Sequence, residues 1–374
     1  MRKKKRFGGF AFLAVAFLLF AVGIRLVSGE RVRDMARAHI ASLSENEDLL
    51  KFAISSETQI VRNNENGKLL GFLASESPLV VSEKNEPALE KEKVREELVV
   101  WEYTPGGQKK ENTYPIENIT ISPTSDKGYV RLGNIWVKND SSKGIDLKWL
   151  SSAKLPFKLT GAGPHVLIVH THGSEAYFPQ DKEEYALTDV ERTSDKRYNV
   201  IRIGDELETV LKKNGVSVLH DRNIYDSPSY NGSYTRTLDA IGQALKKNPS
   251  IKVVIDIHRD AMTAADGTKY RTVANINGKR YAQMMLVMST GESGLPHPDW
   301  AENLKLAVKL QNALSTKYPN IMRPMNLRKE RFNMHATKGS MLVEVGTSAN
   351  SVGEAIESIK HFGEELSTIL KTAK

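Results

Sequence analysis

The chain has 374 residues, enough for two or three domains that each bury a sizeable core. It contains no cysteine, which excludes disulfides, thiolate metal sites and a cysteine nucleophile, so any metal must be held by His, Asp or Glu. The formal net charge is +8, but the basic residues are scattered and form no nucleic-acid motif, apart from the run Arg2, Lys3, Lys4, Lys5 and Arg6.

That basic segment, residues 1–6, is followed by an unbroken run of apolar and glycine residues from Phe7 to Ile24. The run is at the lower end of the roughly 17–25 residues that a membrane-spanning helix needs. Arg25 can snorkel to the far interface, so that Leu26 and Val27 extend the span, and the expected anchor covers 7–27. Positive charge directly before the span places the N-terminus in the cytoplasm and the rest of the chain outside the cell membrane. A cleaved signal peptide is the competing reading. The run is long for one, and no A-x-A cleavage site follows it.

Residues 28–97 read as a membrane-proximal helical and linker region. Met35, Ala38, Ile40 and Leu43 suggest a helix over Arg31 to Leu50, and the stretch from Ser75 to Glu97 is rich in Glu, Lys, Ser and Pro. Residues 98–160 read as a small β-containing region, with short strands expected at Leu98–Tyr103, Tyr129–Leu132 and Ile135–Lys138.

From residue 161 to 374 the pattern changes to strands alternating with helices. Strands are expected at Val166–Val169, Val216–Leu219, Ile251–Ile257 and Met341–Val345. Helices are expected at Asn199–Lys213, which ends at Asn214-Gly215, and at Tyr234–Lys247, Ala301–Tyr318 and Val352–Thr372. Tyr270–Ile276 and Tyr281–Met288 flank Asn277-Gly278, a strong hairpin signal. The expectation is an α/β domain with an open, mostly parallel sheet flanked by helices, whose site lies at the carboxyl ends of the strands.

Three of the strands run straight into chemically capable residues. The first leads into His170-Thr-His172-Gly-Ser-Glu175, the second contains Asp256-Ile-His258-Arg259-Asp260, and the third contains Glu344. His172 and Glu175 stand three apart and can converge on one ion if the chain turns past the strand. His258 can supply a third ligand, leaving a position open for water, as a catalytic zinc site requires. Glu344, set inside an apolar run where an unpaired carboxylate is costly, is then free to act as general base and acid. An ion pair with a cation such as Arg259, itself a candidate member of the catalytic set, is the plain structural alternative. His170 is a candidate ligand, orienting partner or transition-state donor. Asp195 is a rival carboxylate ligand, or a cap for the helix that follows it.

These residues carry a resemblance. The strings HTHGSEAY, NVIRIGDELE, NGVSVLHD, SYNGSYTRTLDAI, IDIHRDA, INGKRYAQMMLVM and LVEVG resemble the stage II sporulation protein P family over roughly residues 160–374. That family is similar to zinc-dependent N-acetylmuramoyl-L-alanine amidases. The resemblance implies a peptidoglycan hydrolase of sporulation engulfment that uses Zn2+, removes stem peptides from glycan strands, and has an additional endopeptidase activity open to it. It matches His172, His258 and Glu344 to the amidase pattern. It leaves the acidic ligand between Glu175, which the family's H-T-H-x-x-E pattern favours, and Asp195. The partners it implies are stage II sporulation proteins D and M. The rival readings are a zinc peptidase confined to stem peptides and a non-catalytic wall-binding scaffold.

Overall fold

The computed structural model describes residues 113–189 and 191–373. The expected anchor at 7–27, the helix Arg31–Leu50, the linker to Glu97 and the strand Leu98–Tyr103 lie outside the described residues. Among the described residues no helix is long and apolar enough to cross a membrane.

Three uninterrupted apolar runs build the centre. Strands β4 (Val166–Val169), β7 (Val253–Asp260) and β12 (Met341–Thr347) are buried at every position. A strand buried along its whole length must be covered on both faces, which places all three inside a sheet. They lie side by side and parallel in the order β12-β7-β4, with β6 (Val218–His220) at the edge, so their carboxyl ends share one rim. Alternation along β4 and β7 divides the core. Val166, Ile168, Val253 and Ile255 join the main cluster with Ile203, Leu207 and Leu211 of helix α2 (Val200–Lys213). Leu167, Val169 and Val254 point the other way and pack against Ile241 of helix α3 (Ser233–Lys247). Helices α4 (Trp300–Lys317) and α5 (Val352–Lys371) complete the main cluster.

The helix boundaries follow their local chemistry. The Asn199 side chain accepts from the Ile201 N–H at the start of α2, and Gly215 takes φ +77° just past its end. Ser351 and Glu354 form a capping box at the start of α5.

The sheet departs from the expected one in three ways. It is mixed rather than mostly parallel: β10 (Met284–Ser289) pairs antiparallel with β12 and parallel with β11 (Met325–Arg328). The reason is the Asn277-Gly278 turn, with φ of 52° and 76°, which joins β8 (Lys269–Ile276) to β9 (Lys279–Ala282). A hairpin reverses the chain without the crossover helix that a parallel neighbour requires. Second, the expected strand Tyr281–Met288 breaks at Gln283, where the chain passes from a four-stranded sheet into the eight-stranded one. Gln283 is buried there, and its side chain bonds Ile121 and the Asn320 carbonyl. Third, the region 98–160 is not set apart from the sheets in its described part. β3 (Ile135–Asn139) pairs with β11, β2 (Val130–Leu132) pairs with β3, and β1 (Thr113–Ile119) pairs with β8 and with β5 (Glu184–Ala186). The short helix α1 (Leu147–Ser152) contributes Leu147 and Leu150 to the same core.

Helix α2 approaches the strand ends closely because it carries glycine at the contact. A Cβ on Gly204 would lie 2.5 Å from His220 Nε2 and 2.6 Å from His170 Nε2. Alanine in a helix interior ordinarily gains about 1 kcal/mol over glycine, but overpacking of this kind costs about 1–3 kcal/mol. Gly204→Ala is therefore expected to lower the stability of the full chain in urea denaturation. An unchanged or raised midpoint would show that the helix shifts away without strain.

Candidate metal centre and catalytic site

The site forms at the shared rim of β4, β7 and β12. After Val169 the chain turns at once, and the turn is tied down by Asp256 of β7. Its carboxylate accepts the Thr171 N–H at 2.9 Å and the Thr171 hydroxyl at 2.5 Å. The turn closes with the Glu175 N–H on the His172 carbonyl, which folds these two side chains toward each other. Glu175 is held from the other side by the Arg259 N–H, which donates to its Oε2 at 3.0 Å.

The result is a compact group. Ligand atoms of His172, Glu175 and His258 all lie within 4.8 Å of one another. His172 Nδ1 is 3.4 Å from Glu175 Oε1, and His258 Nδ1 is 3.5 Å from Glu175 Oε2. The two imidazoles stand perpendicular with centroids 5.0 Å apart. Ligands held about 2.0–2.1 Å from a tetrahedral zinc ion stand about 3.4 Å from one another, so these separations suit such an ion. The hydrogen bonds point the same way. Both ring nitrogens of His172 and of His258, and Oε1 of Glu175, are buried without a hydrogen-bond partner. So many polar atoms enclosed without partners are costly, and a cation would satisfy the acceptors among them, one nitrogen of each neutral imidazole and the carboxylate oxygen.

Charge within the group is sorted by neighbours. Burial pushes the His172 imidazole down, which favours the neutral form that a metal requires. Burial opposes the ionised Glu175, yet the close imidazoles of His172 and His258 outweigh it and hold the carboxyl well below its usual range. Burial also opposes a charged His258, but Asp256 and Glu175 outweigh it and raise that imidazole well above its ordinary value. The Asp256 Oδ1 sits 3.0 Å from His258 Nε2, close but out of line for a hydrogen bond. It is the carboxylate that sets the orientation of this ring.

Glu344 stands directly across from His258 in the parallel register of β12 and β7. It is 1% exposed, and its Oε2 has no hydrogen-bond partner. Burial pushes its carboxyl up to about 8, against the pull of His258. A carboxyl poised near neutral pH beside a group that could hold a metal is suited to general acid–base work.

Three expected members of the site are placed elsewhere. His170 does not reach the group: its Nε2 is 2.8 Å from His220 Nε2 and its Nδ1 is 3.3 Å from the Ile257 carbonyl. The strand ends at Val169, so strand alternation does not carry on through His170 and His172. Arg259 donates its guanidinium to the carbonyls of Ala176 and Glu191, so it fixes the 175–191 segment and makes no ion pair with Glu344. Only its main-chain N–H serves the site. Asp195 pairs with Arg197 and lies outside the group, and the helix cap is Asn199. The acidic member is Glu175. A second group, Asp205, Glu208 and His220, also brings its ligand atoms within 4.8 Å. Arg222 already binds both of its carboxylates, donating to Asp205 at 2.7 Å and also to Glu208.

The sequence reading missed the aromatic wall. Tyr230 stacks on His172 with centroids 4.4 Å apart, and Tyr234 meets the same ring edge-on at 5.5 Å. Both tyrosines come from the β6–α3 connection and the first turn of α3, about sixty residues from His172. Both fall within SYNGSYTRTLDAI, one of the strings that carry the family resemblance, but no spacing rule tied them to the site.

Comparison with known proteins bears on this site. The stage II sporulation protein P family model matches residues 44–367. Stage II sporulation protein P of Bacillus subtilis (strain 168) is 28% identical over 210 residues, 53% of this chain and 49% of the relative. The chain thus spans about half the length of the curated relative it matches. Among solved structures, the N-acetylmuramyl-L-alanine amidase Ami1 from Mycobacterium smegmatis aligns at 14% identity, covering 57% of this chain and 97% of that one, with a TM-score of 0.33. The CwlD amidase from Clostridioides difficile, solved with the GerS lipoprotein, aligns at 13% identity over 56% and 98%, with a TM-score of 0.34. Likenesses this distant carry no weight for function. The family match covers most of the chain and runs across the whole metal group and Glu344: the chain belongs to the stage II sporulation protein P family.

Proposed function

We propose that this protein is a zinc-dependent peptidoglycan hydrolase of sporulation that cleaves the N-acetylmuramoyl–L-alanine amide and so releases stem peptides. The observation that carries the reading is the buried His172–Glu175–His258 group, with its unpartnered donor atoms converging and Glu344 one strand away. Membership of a sporulation family supports the reading, and we infer from it a wall substrate, a role in engulfment, and stage II sporulation proteins D and M as partners. The apolar run 7–27 behind Arg2–Arg6 supports an anchor that holds the catalytic part outside the cell membrane.

His172, Glu175 and His258 would hold the ion. Zinc bound there supplies a Lewis acid for the scissile carbonyl and lowers the pKa of water to about 7. The remaining work belongs to the chain. Asp256 keeps the His258 ring in register and pins the 170–175 turn through Thr171. Glu344 accepts the proton of the attacking water and returns it to the leaving amine. Burial raises its carboxyl to about 8, the proton affinity that delivery needs, and the pull of His258 and Arg323 only lessens that rise.

Product analysis separates this reading from its nearest rival. Mass spectrometry of digested peptidoglycan is expected to show intact stem peptides and peptide-free glycan. Stem-peptide fragments alone would make the protein a zinc peptidase. In elemental analysis of the purified full chain, His258→Ala and Glu175→Ala are expected to lose bound zinc, whereas Asp195→Ala keeps it. Asp256→Asn is expected to weaken zinc binding about 10–100-fold, as loss of an orienting partner does. Glu344→Gln is expected to keep its zinc and lose turnover by about 10²–10⁴-fold. Loss of zinc in that variant would move Glu344 into the ligand set, and undiminished wall digestion by both His258→Ala and Glu344→Gln would make the protein a scaffold.

A further inference from the structure

Tyr234 is the second residue of α3 and is 7% exposed. Its ring meets His172 edge-on at 5.5 Å, lies nearly parallel to His258 at 6.5 Å, and rests on Phe332 at 5.9 Å. Its hydroxyl is enclosed and makes no hydrogen bond. The charged groups around that hydroxyl are the carboxylates of Asp256, Glu344 and Glu175, the acidic residues of the site itself. The position is braced on both sides. Asn333 donates its side-chain amide to the Tyr234 carbonyl at 2.7 Å, and Phe332 and Asn333 hold φ of 45° and 57° to form that contact. A non-glycine pair in the left-handed region is strained, and such strain persists where the surrounding structure fixes it.

A buried phenol with no partner is unfavourable, whereas phenylalanine would fill the same space without that cost. The hydroxyl therefore calls for an acceptor that arrives with substrate. We propose that Tyr234 is a catalytic residue that donates its Oη–H to the scissile carbonyl oxygen as negative charge builds there. This rests on the hydrolase reading above. Water oxygen bonds to the carbonyl carbon and its proton passes to Glu344. The C=O π pair moves onto oxygen, where Tyr234 bonds it without giving up its proton. When the C–N bond breaks, the pair returns to form C=O and the amine nitrogen takes its proton from Glu344. The donor is thus best used at the transition state, which raises kcat and not substrate affinity.

The test is Tyr234→Phe in the full chain, which keeps the ring contacts and removes one oxygen. Steady-state rates are read on soluble disaccharide-peptide fragments of peptidoglycan, with zinc content and thermal midpoint measured alongside. The expected result is a fall in kcat on the order of 10²-fold, with KM and zinc content unchanged and the midpoint unchanged or raised. Unchanged kcat would reduce Tyr234 to packing and overturn the proposal, as would loss of zinc or a KM effect alone. His258→Ala in the same assay keeps the two readings apart. If wild type exceeds it and Tyr234→Phe equals wild type, only the tyrosine role fails. If wild type and His258→Ala release equally little, the hydrolase reading falls and takes the tyrosine with it.

Discussion

The carboxylate of Asp256 is the constraint on which the site depends. It lies midway along β7, level with the end of β4, and faces two demands at once. Through Thr171 it fixes where the chain turns after β4, and through its contact with His258 it sets the ring on its own strand. The two strands would be neighbours without it, since their apolar registers already pair them. What Asp256 adds is the geometry of the turn, and the turn decides that His172 and Glu175 converge while His170 faces away toward His220. Burial disfavours the ionised Asp256, but the charge of the adjacent His258 and the hydrogen bonds from Thr171 more than offset this and hold its carboxyl below the usual range.

The same low-dielectric setting divides the two glutamates. Glu175 sits between two imidazoles and accepts a main-chain N–H, so its ionised form is held. Glu344, one strand further, has no hydrogen bond on its Oε2 and is pushed up to about 8 by burial. Two like groups whose environments drive their proton affinities apart are the pattern of a fixed charge paired with a proton carrier. Parallel pairing of β12 with β7 puts Glu344 opposite His258, and the rim shared by parallel strands gathers these groups at one edge.

Much of this was legible residue by residue. The apolar runs of β4, β7 and β12 announced buried strands, and the polar residues at their ends announced the site. Asn214-Gly215 and Asn277-Gly278 named their own turns, because φ above zero is tolerated there and almost nowhere else. The strand direction of β10 was not legible, since a run such as Met284–Ser289 reads the same whichever way it lies. The join of β3 to β11 was also hidden, because it links segments nearly two hundred residues apart.

By itself the sequence determined the main strands and helices of 161–374, the family motifs, and the set of His and carboxylate residues from which a metal group could be drawn, while β1, β5, β11 and α1 carried no clear signal. Periodicity, turn chemistry and the cost of burying a lone carboxylate are local, and local rules are written in local residues. Only the tertiary structure decided which of those residues meet. His172 over His170 and Glu175 over Asp195 are choices made by one turn pinned to a distant strand. The tyrosines that wall the site and the guanidinium of Arg259 that braces its loop depend on contacts across the sheet rim, and no spacing along the chain encodes such contacts.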